Sequence, residues 1–170
     1  MSVSIRRAHP GDVDFLVALV THEDVAPFLS TSRPGSDAEL LPEIERSVAE
    51  PDACGVFVIE VDGAPAGTMS FERANLRSRI ANLRGFALDP PVRGRGVARE
   101  ATRLLQHHLM NDLGFHRLQL EVYAFNERAL AHAERCGFTR EGVRRKAYWR
   151  NEEWVDGVLF GLVAEDLDGS

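Results

Sequence analysis

The chain is poor in cysteine. Its two thiols, Cys54 and Cys136, stand far apart and outside any CxxC spacing, which excludes a disulfide framework and a zinc knuckle and points to a reducing, cytoplasmic setting. Long apolar runs are missing as well. No stretch reaches the length of a membrane span, and the opening MSVSIRRAHPGD carries arginines with no apolar segment behind them, so a soluble, unprocessed chain is expected. A basic excess is also lacking. Twenty Lys and Arg stand against 26 Asp and Glu, for a net charge of −6 and a pI near 5.5, which argues against a nucleic-acid partner. There is no linker, repeat or low-complexity tract. At 170 residues and 44% hydrophobic content, one domain over residues 1–170 is expected.

What is present reads as alternating strands and helices. A first strand around Val3 and Ile5 ends near Ala8, and HPGD opens a short helix from about Asp12 to Val20. A poorly periodic segment with Pro27, Pro34 and Pro42 follows, in which ELLPEIERSV is the best helix candidate. GVFVIEVDGAPAGTMSF has two β-branched, apolar runs flanking Asp62-Gly63, a hairpin signature. RIANLRGFAL reads as a further strand, closed by Asp89-Pro90-Pro91. Apolar residues at helical spacing from Ala98 to Leu113 predict a long helix ended by Gly114. LQLEVYAF is a strand, Asn126 an N-cap for a short helix ending at Gly137, and the tail two strands around Asn151-Glu152. The order predicts a mixed α/β layer fold.

The densest chemical signal is VRGRGVARE, residues 92–100. Glycines at 94 and 96 let the backbone approach a ligand, and amides feeding into a helix N-terminus form an anion site. A phosphate is the first expectation. The Lys-Ser/Thr pair of a Walker A loop is replaced here by Val97-Ala98, and Arg99 stands where a dinucleotide fingerprint needs a small residue. Arg93-Gly94-Arg95-Gly96-Val97-Ala98 instead resembles the pyrophosphate loop of the GNAT acyl-CoA N-acyltransferases. GFALDPPVRGRGVAREA resembles that superfamily's strand, loop and helix, and NERALAHAERCGF its second cofactor helix. Glu100-Ala101 and the closing GFTREGVRRKAYWRNEEWVDGVLFGL resemble the RimJ/RimL-like branch.

The resemblance, strongest over residues 81–167, implies a single GNAT-like domain with a central, mostly antiparallel sheet of about seven strands that splay around the cofactor. It implies that acetyl-CoA is held by the amides from Arg93 to Ala98, that the backbone of Phe86, Ala87 and Leu88 pairs with the pantetheine arm, and that Asn126 contacts the far side. The Leu88 amide would face the oxyanion of a tetrahedral intermediate. A homodimer is a further expectation from the family, and no metal is expected. Departures from the pattern fall on the proton-transfer groups: Ala133 occupies the place of the tyrosine acid of many relatives, and Asn82 and Leu83 that of a glutamate base. Glu72, Glu121 and Tyr123 on neighbouring strands remain as candidates. Cys136, on an apolar helix face, reads as a core thiol, and the adjacent His107 and His108 cannot share a ligand. His132 is a lone histidine, and Arg144, Arg145 and Lys146 form a basic run on a strand.

A site without a strong base suits an amine that deprotonates easily. An α-amine titrates near 7.7 to 8.0 and a lysine amine near 10.4, a gap of about 3.4 kcal/mol. The expected acceptor is therefore a primary amine of low pKa, in a small molecule or a peptide. Transfer of a larger acyl group such as succinyl, with Arg84 or the Arg144 to Lys146 run pairing its carboxylate, and a non-catalytic acyl-CoA-binding module are the alternatives.

Overall fold

The computed structural model describes residues 1–29 and 36–168; Pro34 lies outside them. Its strands are β1 (Val3–Arg7), β2 (Cys54–Val61), β3 (Ala64–Asn75), β4 (Ile80–Leu88), β5 (Arg117–Tyr123), β6 (Thr139–Arg150) and β7 (Glu153–Val163). The helices are α1 (Val13–Val20), α2 (Asp37–Ala49), α3 (Val97–His107), α4 (Glu127–Arg135) and α5 (Ala164–Asp168). One seven-stranded sheet runs in the order β1-β2-β3-β4-β5-β7-β6. Every neighbouring pair is antiparallel except β4 and β5.

The alternation along the strands divides the core between the two faces. Phe57 and Ile59 of β2, Met69 and Phe71 of β3 and Leu118 of β5 pack with Val97, Ala101 and Leu105 of α3 and Ala133 of α4. On the other face Val56 and Val58 of β2 and Ala87 of β4 meet Leu16 and Leu19 of α1 and Leu40 and Ile44 of α2. Because α2 packs on β2 and α1 touches β3 and β4, the α1/α2 layer lies over one half of the sheet.

The expected 98–113 helix is two pieces. After His107 the chain widens into a π turn, His108–Asp112, in which the Leu113 amide donates to the His108 carbonyl at 3.1 Å. Apolar spacing alone does not reveal such a turn, because the extra residue keeps Leu109, Met110 and Phe115 all buried while Gly114, at φ +76°, ends the segment. The other expected elements fall within a few residues of their bounds, and α5 (Ala164–Asp168) adds a short terminal helix that the strand pattern of the tail did not predict.

The parallel contact between β4 and β5 is brief. It covers Ile80↔Arg117, Ala81↔Leu118 and Asn82↔Gln119, and the Gln119 amide donates to Asn82 Oδ1 at 2.7 Å at its end. Thr68 then pairs with Ala87 and Ser70 with Arg84, so Met69 alone opposes Gly85 and Phe86. This is a bulge, with Gly85 at φ +66°, and bulges bend the strand that carries the extra residue. Beyond Asn82 and Gln119 the two strands are unpaired and the sheet opens.

Candidate active site

The opening between β4 and β5 is a cavity that passes through the sheet. Leu83, Phe86, Thr102, His132, Ala133 and Cys136 line it on the α3/α4 side, and Phe28, Leu29, Ser70, Arg84, Glu121 and Tyr123 on the other. The edge of β4 that faces it carries usable backbone. Asp89 donates to Ala66 at 2.8 Å, so the antiparallel alternation turns the N–H and C=O of Leu88 away from β3, on the side where β5 has parted from β4. The Leu88 carbonyl accepts from Arg93 Nε at 3.3 Å and Nη2 at 3.2 Å. Its amide has no such partner among the described residues. By the same alternation Phe86, next to the bonded pair Ala87↔Thr68, also presents its polar backbone to the opening, whereas Ala87 faces β3 and the second core.

The glycine turn sits at the end of this edge. Gly94 and Gly96 have φ of +75° and +79°, and Gly96 is the residue before α3. No heavy atom lies within 4 Å of where a Cβ would stand on either, so both glycines serve the left-handed backbone and leave open space beside it. The amides of Gly94, Arg95 and Gly96 have no partner within the described residues, and those of Val97 and Ala98 fall in the helix's first, unbonded turn. With the positive end of the α3 dipole they form a nest for an anion. Arg93 corrects the expectation: its amide donates to Pro90 at 3.2 Å, inside a turn set by the two prolines. Its guanidinium reaches the carbonyls of Leu88 and Asp24 and braces the loop instead.

Asn126 caps α4, its Oδ1 accepting from the Ala129 amide at 3.2 Å, and also lines the cavity. His132, one turn further, lies 3.0 Å from Thr102 Oγ1 and 5.3 Å from the Phe86 ring. Burial holds its pKa below the ordinary value, so it is neutral at pH 7. Cys136 touches His132 and lines the cavity at the end of α4, a more exposed place than a core thiol's, and burial pushes its pKa up. His107 and His108 each bond their own i+4 neighbour, Asn111 and Asp112.

Of the three candidates for proton transfer, two converge. Glu121 and Tyr123 alternate on β5 toward the α1/α2 side of the opening, and both line it. Glu121 Oε1 accepts from the Tyr148 hydroxyl at 2.6 Å, while Glu121 Oε2 and the Tyr123 hydroxyl are buried without a hydrogen-bond partner, as is Ser70 Oγ. A buried carboxylate oxygen without a donor is costly, and so marks a place for a ligand's N–H. Burial first, then the bond to Glu121, pushes the Tyr148 pKa up to about 12, and burial also raises that of Tyr123. Both are phenols at neutral pH. Glu72 is placed differently: Arg46 holds its carboxylate through two bonds of 2.9 and 3.0 Å, and Arg84 stands 3.5 Å away, outside the cavity lining.

Two participants were not foreseen. Tyr148 on β6 orients Glu121, and Gly157 on β7 lies under it, where a Cβ would overlap Glu121 Oε2 and stand 2.9 Å from the Tyr148 ring. The tail's pattern of two strands around Asn151-Glu152 contained both residues, but not the insertion of β7 between β5 and β6 that unites them. Among the described residues no group of three or more His, Cys, Asp or Glu side chains could hold a metal ion, and no helix is long and apolar enough to cross a membrane.

A family model described as an acetyltransferase (GNAT) domain matches residues 3–139, and the chain belongs to that family. Among curated relatives, the prophage-derived N-acetyltransferase YokL of Bacillus subtilis is 29% identical over 49% of this chain and 47% of its own length. The L-amino acid N-acetyltransferase AaaT of Escherichia coli is 32% identical over 61% of this chain and 64% of its own. The matches thus span about half to two thirds of these relatives. In fold, the chain is similar to spermidine N-acetyltransferase from Vibrio cholerae in complex with CoA and spermine, at TM-score 0.85, 22% identity and 96% coverage of each chain.

Proposed function

We propose that the chain is an N-acetyltransferase that moves the acetyl group of acetyl-CoA to a primary amine of low pKa in a ternary complex. The observation that carries this reading is the run of unpaired amides entering α3, adjoining the Leu88 amide that turns away from β3, at the end of the strand that borders the Glu121 cavity. The nest from Gly94 to Ala98 takes the pyrophosphate, the backbone of Phe86 takes an amide of the pantetheine arm, the Leu88 carbonyl being held by Arg93, and Asn126 borders it. The cofactor supplies an activated thioester carbonyl.

In the proposed reaction Glu121 Oε2 takes a proton from the acceptor ammonium, directly or through one water, and the freed nitrogen forms a C–N bond to the thioester carbon. The developing oxyanion would meet the Leu88 amide, and collapse breaks the C–S bond while the second nitrogen proton passes to the departing sulfur, directly or through water. The thiolate of coenzyme A, whose thiol titrates near 8.5, departs without a strong acid, so Ala133 in place of a phenol is tolerated. Tyr123 holds the amine in line and Tyr148 fixes the carboxylate. Glu72, held by arginines, tunes the rim. The relatives' names include amino-acid and polyamine acceptors, and an α-amine is the acceptor this site favours.

The test is thiol release by the purified chain with acetyl-CoA or succinyl-CoA over a panel of α-amines and lysine-type amines. Turnover should be fastest with acetyl-CoA and α-amines and fall about 100-fold or more in Glu121→Gln. Tight binding of acetyl-CoA with no turnover of any amine would refute catalysis, and faster turnover of ε-amines would refute the preference.

A further inference from the structure

We propose that Arg84 reads a carboxylate on the acceptor, so that the substrate of this site is a zwitterionic α-amino acid with an apolar side chain. This rests on amine acetylation as read above and narrows its substrate. Asn82 and Gln119 are the last paired residues of β4 and β5. Two residues further along each strand, on the same face by the period of two, stand Arg84 and Glu121. They are the one guanidinium and the one carboxylate among the described residues that line the cavity. One fixed positive and one fixed negative charge across an opening match an ammonium and a carboxylate on one small molecule.

Both groups have capacity left. Among the described residues Glu121 Oε2 is buried without a hydrogen-bond partner, Arg144 Nε standing 3.7 Å from it on the rim, and the Tyr123 hydroxyl and Ser70 Oγ of the same lining are likewise unbonded. Arg84 has five N–H donors and, among the described residues, a single 3.5 Å contact, to a Glu72 carboxylate that Arg46 already holds twice. A ligand carboxylate can therefore form the bidentate pair that Glu72 does not. The rim opposes a polycation: Arg144 Nε lies 3.7 Å from Glu121, and the Arg150 guanidinium sits 5.3 Å above the Tyr123 ring. A second ammonium on the acceptor would meet these cations and no further carboxylate of the lining. The third arm of the acceptor would face Phe28 and Leu29, where Phe28 and Phe125 rings lie 6.2 Å apart and Phe125 stacks on Tyr123 at 5.2 Å.

Charge pairing at Arg84 also serves the chemistry. A free α-carboxylate stabilises the neighbouring ammonium and resists its deprotonation, and a guanidinium on that carboxylate cancels the effect. The amine then enters the reaction as easily as the low-pKa amines the site suits.

Thiol release with acetyl-CoA should be compared for L-phenylalanine, L-phenylalaninamide and spermidine. The expected kcat/KM for the acid exceeds that for the amide by about 10-fold or more, with spermidine slowest. In Arg84→Gln the acid-to-amide ratio should fall at least tenfold, and in Arg84→Lys by less, which a loss of folding would not produce. An amide as good as the acid, spermidine faster than either, or a ratio unmoved by Arg84→Gln overturns the proposal. So does a loss of succinyl-CoA turnover in Arg84→Gln with the acid-to-amide ratio intact, which would assign the guanidinium to the donor. Turnover of the amide but not the acid leaves amine acetylation standing and removes only this inference, whereas bound acetyl-CoA with no turnover of any amine removes both.

Discussion

Gly157 offers a test in which the effect is set by geometry alone. It pairs with Tyr123 across β5 and β7, and its missing side chain is the space that the Glu121 carboxylate occupies. A Cβ there would overlap Oε2 and stand 2.9 Å from both the Glu121 carboxyl carbon and Tyr148 Cε2. Carboxylate and ring must then move together. Inserting one methyl group into such a packed contact costs about 1–3 kcal/mol, and in a chain of this size each kcal/mol shifts the melting temperature by about 2–4 °C. Gly157→Ala should therefore melt about 2–12 °C lower. The catalytic loss should be larger, because a displacement near 1 Å of a group that must meet the amine costs about 100-fold. Gly142→Ala on the adjacent strand is the control: no heavy atom lies within 4 Å of its Cβ position and its φ is not positive, so its effect should stay within about 0.5 kcal/mol. Calorimetry and thiol-release kinetics on the two variants, with coenzyme A affinity as a third measurement, separate the cases. Affinity should be unchanged in both, since the glycine turn is elsewhere. The cost of Gly157→Ala should also shrink in a Glu121→Ala background, where most of the overlap is gone. A Gly157→Ala protein with the melting temperature and kcat/KM of the parent would refute the placement of Glu121.

Gly94→Ala and Gly96→Ala should each destabilise the free chain by about 1–2 kcal/mol through left-handed backbone strain, since neither Cβ meets another atom. Coenzyme A affinity, read by titration calorimetry, should fall tenfold or more, and an unchanged affinity would refute the loop as the pyrophosphate site. A third expectation concerns Asp12, which accepts from Arg6 at 2.8 and 2.9 Å and from the His9 amide at 2.8 Å. The Arg6 bonds hold its pKa below the ordinary carboxylate value, so its contribution is complete above an unfolded value near 3.9 and is lost as pH falls through the lower folded value. Asp12→Asn should cost about 2 kcal/mol at pH 7, a gap that closes below pH 4 in urea unfolding, and a pH-independent gap would refute the pairing.

How far the site can be read from the amino acids depends on the range of the interaction that makes each part. The amide nest proposed for the pyrophosphate is local: two glycines with positive φ and the first turn of the next helix lie within five residues, so the residue pattern carries its geometry, and only the Arg93 amide, captured by a proline turn, escapes the pattern. The Asn126 cap is local for the same reason. The splay of the sheet is less so, because it needs both the three-residue parallel contact of β4 with β5 and the bulge at Gly85, and a glycine within a strand pattern signals a bulge without saying which way the strand turns. Glu121 is legible as a strand carboxylate, but its union with Tyr148 and Gly157 lies furthest out of reach. They come from three strands, and they meet because β7 enters between β5 and β6 and so sets a position with no side chain between a carboxylate and a phenol. The apolar run of β7, with Val155, Val158, Phe160 and Leu162 buried, against the mostly exposed β6 favours this strand order, but the pattern does not say which side chains then meet across the three strands. Strand order, rather than any motif, thus gives the Glu121 carboxylate its partners, which is why the half of the site proposed for the cofactor is legible from the chain and the half proposed for the amine becomes so only in three dimensions.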